Sequence, residues 1–268
     1  RLHLEILSDT ALKVEDLAGD IGFKVSGRGE LHLSILIETL RREGYEFQVS
    51  RPQVIIKEEN GVKEEPYEEL TIEVDESSQG KVIEALGFRK GELLNMEQDQ
   101  GLVKLTYKIP TRGLLGFRSE FMTATKGMGV MNYIFDGYGP YVGPLKTRKN
   151  GVLVSKETAP TIAFSLFNLQ ERGKLFLGPG ENVYEGQIIG ENAREDDMVV
   201  NPAKGKKLTN VRASGSDDSI KLTPPTLLSL EQCLSFITDT ELIECTPKAI
   251  RMRKKILSES ERKRSKEL

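Results

Sequence analysis

The stretch Val25-Ser26-Gly27-Arg28-Gly29-Glu30-Leu31-His32-Leu33-Ser34-Ile35-Leu36 joins a strand to a helix through a glycine turn, and the rest of the chain is read outward from it. Gly27 and Gly29 accept left-handed backbone at little steric cost, so the chain is expected to reverse there. Glu30 falls in the first helical turn, where a carboxylate meets the positive end of the helix dipole. Leu33, Leu36, Ile37 and Leu40 recur at helical spacing and mark the face that a sheet must cover. Two readings of the turn stand side by side. It is a structural reversal, or its free amides hold a phosphate; the second lacks the third glycine and the lysine that phosphate loops use.

Upstream, residues 1–8 read as the last turns of a helix, which makes the chain read as a fragment. Ala11–Glu15 and Gly22–Ser26 read as short strands, 30–43 as a helix stopped by Gly44, and 45–49 as an alternating strand before Pro52. Helix, two strands, helix, strand is a split βαβ pattern with its first strand cut away. After the charged connector 57–61 the same grammar returns. Strands are expected at 70–74, 103–109 and 130–135, and helices at 79–86 and 114–123. From Pro144 onward short β-rich runs at 151–155, 161–167, 174–177 and 186–190 are punctuated by glycine, which favours a small barrel or sandwich. Ser229 caps a short helix through Ile237, 241–245 resumes a strand, and Ser258 to Glu261 is a capping box opening a charged terminal helix. The fold class expected is α+β: two consecutive ferredoxin-like units, then a β-rich, barrel-like domain with a short helix and a long basic loop.

A chain of 268 residues exceeds what one core usually serves, so two or three domains are expected. No segment is long and apolar enough to cross a membrane, which reads as a soluble, cytosolic protein. Cys233 and Cys245 lie too far apart for a CxxC site and read as reduced core residues; His3 and His32 are the only histidines. The net charge of −3 hides an asymmetry: residues 1–144 carry 17 basic and 24 acidic side chains, residues 145–268 carry 21 and 17. An anionic partner is therefore expected to meet the C-terminal third.

No catalytic constellation, cofactor motif or metal set emerges. Gly80-Lys81, Gly173-Lys174 and Gly205-Lys206 each lack the earlier glycine of a GxxxxGK[ST] phosphate loop. The candidates for RNA contact are cationic. Lys204, Lys206, Lys207 and Arg212 share a loop with no acid between Met198 and Ser216. Four phosphate contacts there would give a log–log salt slope of roughly −3 to −4, and the alternative is a solvated loop whose lysines serve solubility. On a strand, Arg251, Arg253 and Lys255 share one face and form a stripe suited to a phosphate backbone; alternatively they pair with Glu241 and Glu244 across a hairpin.

Residues 26–36 (SGRGELHLSIL) with Arg51-Pro52-Gln53-Val54 resemble the third domain of the elongation factor G superfamily, and residues 66–96 with 125–129 resemble its fifth. From Lys146 the chain departs from elongation factor G. With residues 110–118 and 204–215, this part resembles the BipA/TypA family of ribosome-associated GTPases. The resemblance implies units at 1–65 (third-domain-like, first strand missing), 66–143 (fifth-domain-like) and 144–268 (a family-specific β-rich domain). It further implies that GTP and Mg belong to a domain upstream, so that this fragment is no enzyme. Its partners would be the ribosome: ribosomal RNA, ribosomal proteins and the acceptor arm of A-site tRNA, met as a monomer without a membrane. Large-subunit assembly and growth under cold and other stress are the implied roles. Arg112 and Arg118 flank the glycine-rich helix start where fifth domains of relatives approach ribosomal RNA. A free-standing RNA-binding or ribosome-assembly module without a GTPase is the alternative function, and an enzyme with a site between the domains a more distant one.

Overall fold

The computed structural model describes all residues except 20–21, 146–147, 206–220 and 267–268. In the first unit, α1 (Leu2–Ser8), β1 (Lys13–Asp16), β2 (Phe23–Ser26), α2 (Glu30–Arg42) and β3 (Phe47–Ser50) follow the order read from the sequence. β1 and β2 form an antiparallel hairpin, and Leu36 and Leu40 of α2 close over Leu12. The glycine turn differs from expectation: Gly29 is extended, with φ 175°, and Gly27 is not left-handed either. Glycine at 27 answers a steric need, since a Cβ there would stand 3.0 Å from His32 Nδ1. That imidazole accepts the Arg28 N–H at 3.2 Å through Nδ1 and lies 2.5 Å from Asp9 Oδ2 through Nε2. One amide of the turn, that of Arg28, is thus taken.

The middle unit holds β4 (Lys57–Glu59), β5 (Val62–Asp75), α3 (Glu76–Phe88), β6 (Glu92–Asp99), β7 (Leu102–Pro110), α4 (Thr111–Leu114), α5 (Phe117–Ala124) and β8 (Val130–Pro140). β5 pairs with β7 on one side and β8 on the other, and β6 lies outside β7. The inward residues Leu70, Ile72, Val74, Val103, Leu105, Tyr107 and Ile109 meet Val82, Leu86, Phe117 and Phe121 of the helices in one core. Asp75 caps α3 by accepting the Ser78 N–H at 3.1 Å. Two strands went unread. The connector 57–61 is a hairpin whose Asn60-Gly61 turn has φ 53° and 78°, as a type I′ turn requires. β6 gave no alternating signal because all eight of its residues are exposed; Gln100-Gly101, at φ 48° and 84°, turns it into β7.

The C-terminal unit comprises β9 (Val152–Ser155), β10 (Ala159–Pro160), α6 (Ala163–Leu169), β11 (Gly173–Leu175), β12 (Asn182–Val183), β13 (Gln187–Asn192), β14 (Met198–Val200), α7 (Leu230–Phe236), β15 (Glu241–Cys245), β16 (Ile250–Lys254) and α8 (Glu259–Lys266). The strand expected at 161–167 is instead the start of α6. Its apolar run is short enough to suit either structure, and Ile162, Leu166 and Leu169 keep helical spacing. Ser229 caps α7 through a complete capping box with Gln232. The sheet runs β14-β9-β13-β16-β15-β3 and stays open between β14 and β3, so the barrel does not close. Its last member comes from the first unit: β3 pairs antiparallel with β15, Phe47 opposite Cys245 and Ser50 opposite Leu242. Phe47 and Val49 pack into the C-terminal core beside Cys233, Ile243 and Met252. Both cysteines there are free, and burial pushes the Cys233 thiol up to about 12 and that of Cys245 up to about 11.

Two buried carboxylates brace these units. Glu65 binds Arg112 and accepts the Val142 N–H at 2.8 Å. Glu241, fully buried, accepts from both terminal nitrogens of Arg148 at 3.0 Å, from Lys254 Nζ at 2.6 Å and from the Thr238 N–H at 2.8 Å. Burial pushes the Glu241 carboxyl up, but Arg148 and Lys254 more than reverse this, and it titrates below its ordinary 4.5. A depressed carboxylate contributes stability that is full above the unfolded value and is lost as pH falls through the folded one. Glu241→Gln should therefore cost about 3 kcal/mol in chemical denaturation at neutral pH, because Arg148 and Lys254 lose their buried carboxylate and keep only the more exposed Asp197, 3.9 and 2.5 Å away. The deficit should shrink when the same pair of proteins is compared below pH 4.5.

Candidate nucleic-acid interface

β16 alternates as the sequence suggested. Met252 and Lys254 point into the core, Lys254 to Glu241, while Arg251 and Arg253 lie on the outer side; the strand ends at Lys254, so the expected third member Lys255 is exposed just beyond it and not on it. Glu241 faces the interior and is no partner of the outer stripe. Arg253 is spent locally: it donates to Gln48 Oε1 at 2.7 Å and lies 3.0 Å from Glu244 Oε1. Tyr184 donates its hydroxyl to Glu244 at 2.6 Å, and burial, then that carboxylate, pushes its phenol up. Arg251 and Lys255 are exposed, Arg251 opposite Glu244 in register. Two cations of the stripe are thus presented to solvent and the third anchors β3 against β15 and β16.

The two arginines of the middle unit part company. Arg112 places its guanidinium on Glu65 and the Gly143 carbonyl and stacks over Tyr141 at 4.5 Å. Arg118 is exposed on α5 and makes no ion pair or hydrogen bond among the described residues. Arg89, which the sequence reading passed over, is buried; it donates to the Gly113 and Leu115 carbonyls at 2.7 and 3.1 Å and pairs with Glu120 at 2.9 Å. It organises the turn into α5 that presents Arg118.

Lys204 is exposed at the root of the basic loop, whereas Lys206, Lys207 and Arg212 lie outside the described residues. Both roots of the loop are gripped by α6 and its flanks. On the entry side, Ser165 donates to the Asn201 carbonyl at 2.5 Å and the Ile162 N–H to the Pro202 carbonyl at 2.9 Å. On the return side, the Gln170 side chain donates to the Lys221 carbonyl at 3.2 Å and accepts the Thr223 N–H at 2.9 Å. Ser165 and Gln170 are five positions apart, so one and a half helical turns separate the two anchor points. Sequence reasoning found the cations but not this pedestal, since it took the pedestal for a strand. A lone serine and a lone glutamine carry no signal of their own.

No helix among the described residues is long and apolar enough to cross a membrane. Residues 62–149 match the family of elongation factor G C-termini, and residues 150–259 match the family of TypA/BipA C-terminal domains. The chain is 54% identical over 99% of its length to the large ribosomal subunit assembly factor BipA of Salmonella typhimurium, and equally to that of Haemophilus influenzae; it covers 44% and 43% of those proteins. Against the factor of the same name from Buchnera aphidicola the identity is 51%, over 44% of that protein. The chain therefore spans less than half the length of these relatives. With the two domain families matched in tandem and identity of this order running through all three units, the chain belongs to the TypA/BipA family.

Proposed function

We propose that the chain is the ribosome-docking half of a TypA/BipA-type GTPase that serves large-subunit assembly, and that it meets ribosomal RNA, ribosomal proteins and the tRNA acceptor arm in the cytoplasm as a monomer. The observation that carries this reading is a cationic loop gripped at both roots by one helix, in a unit that also offers Arg251 on β16 and Lys255 just past its end to solvent. A pedestal of that kind lowers the entropy lost when a long segment settles on a polyanion. The relatives are named for assembly of the large ribosomal subunit, which supplies the polyanion. The family resemblance assigns GTP and Mg to the part of the parent that this chain does not span, in keeping with the lack of a phosphate-loop motif in it. A role in growth under cold and other stress, implied by the same resemblance, belongs to the same proposal.

The test is binding to purified large ribosomal subunits across a potassium chloride series. Lys206→Ala combined with Lys207→Ala should weaken binding and flatten the log–log slope by roughly 1.4–1.8 if both lysines meet phosphates, with the melting temperature unchanged. Binding and slope identical to the parent chain would remove the loop from the mechanism. The two arginines should separate in the same assay. Arg118→Ala should change stability by less than about 0.5 kcal/mol, so any loss of binding reports a contact. Arg112→Ala leaves Glu65 buried without its cation and should cost about 3–5 kcal/mol of folding stability.

A further inference from the structure

Glu30, the carboxylate of the glycine turn, does something that its place at a helix start does not suggest. Its Oε1 accepts the Ser235 hydroxyl at 2.9 Å and its Oε2 the Gly116 N–H at 3.3 Å. Ser235 lies on α7 of the C-terminal unit and Gly116 opens α5 of the middle unit, so one side chain of the first unit touches both others. The contact is close. Gly116 has φ 72°, and a Cβ on it would stand 2.7 Å from Ser235 Cβ. Among the described residues, with the middle unit running from β4 at Lys57 through Gly143, the Gly116–Glu30 bond is its single hydrogen bond to either neighbour, and no ion pair joins them. The first and C-terminal units are by contrast sewn together by β3 and β15, and by Arg41, which donates to the Thr246 and Pro247 carbonyls at 3.3 and 3.1 Å.

Arg51 marks the same joint. It follows β3, is half-buried, and makes no hydrogen bond or ion pair among the described residues. Burial, ahead of the charges of Asp239, Arg89, Glu30 and Arg112, lowers its pKa from the ordinary value.

We propose that Glu30 is a positioning residue: a latch that fixes the middle unit against the other two and so sets the spacing between Arg118 on α5 and Arg251 on β16. The latch itself stands on the contacts of Glu30; its consequence for binding rests on the RNA-contact reading above. Opening it frees the middle unit to pivot about its chain connections.

The experiment separates the two levels. Spin labels on Lys126→Cys and Lys248→Cys, both exposed, report the distance between the middle and C-terminal units in the whole chain. Glu30→Ala should broaden that distance distribution. Ser235→Ala, which leaves α2 untouched, should do so to a smaller degree, and the two changes should be non-additive. An unaltered distribution in Glu30→Ala overturns the latch, whatever the chain binds. In the subunit-binding assay, Glu30→Ala should lower affinity roughly tenfold, the size of the lost Gly116 bond to a charged group, while leaving the salt slope unchanged because no cation is removed. A broadened distribution with unchanged affinity would retain the joint and overturn its part in binding. Failure of the parent chain to bind subunits at all would overturn the functional reading and leave the distance measurement to judge the latch.

Discussion

Four residue pairs between Phe47–Ser50 and Leu242–Cys245 set the shape of this protein. Through them the first unit contributes a strand to the C-terminal sheet, and Phe47 and Val49 enter a core built mainly by residues two hundred positions later. The pairing buries an edge that would otherwise face water with unpaired backbone groups. It also brings Gln48 beside Glu244 and Arg253, so that one cation of the outer stripe becomes part of the seam. With first and C-terminal units joined this way, α2 comes to lie beside α7 and Glu30 comes within reach of Ser235.

The C-terminal domain separates its charges by side. Facing inward, Glu241 gathers Arg148 and Lys254, with Asp197 as a second, more exposed carboxylate beside both cations. Facing outward, Arg251 and Lys255 keep their hydration, and Lys204 stands at the start of a basic loop. The alternation of a β-strand suffices to sort neighbouring cations between these two fates, since Arg251 and Lys254 lie three positions apart on β16 and are opposite in environment.

Elements governed by local chemistry were legible in the chain. Ser229 before Gln232 satisfies a helix amide from within three residues, and the strict alternation of Val103, Leu105, Tyr107 and Ile109 needs only one covered face. The misses have physical causes. β6 is wholly exposed and carries no periodic signal, and the Asn60-Gly61 hairpin lay inside a run whose charges suggested a tether. The run at 161–167 is apolar enough for a buried strand or a buried helix, and the choice of α6 follows from Ser165, Ile162 and Gln170 holding the two roots of the loop. Of the candidate site, the cations were visible as residue types. Which of them face water was not: Arg112 and Arg118 are six positions apart with the same side chain, and one is committed to a buried glutamate.

The sequence by itself determined the alternating and helical faces, the caps, the charge asymmetry between the two halves and the family resemblance, because each depends on residues near one another in the chain or on composition. Tertiary structure alone decided that β3 completes a distant sheet, that Arg112 and Arg253 are internal partners, and that Glu30 joins three units. The reason is that a side chain's partner depends on distance in space. Contacts between residues 30, 116 and 235, or 48 and 253, arise only when several segments have already packed.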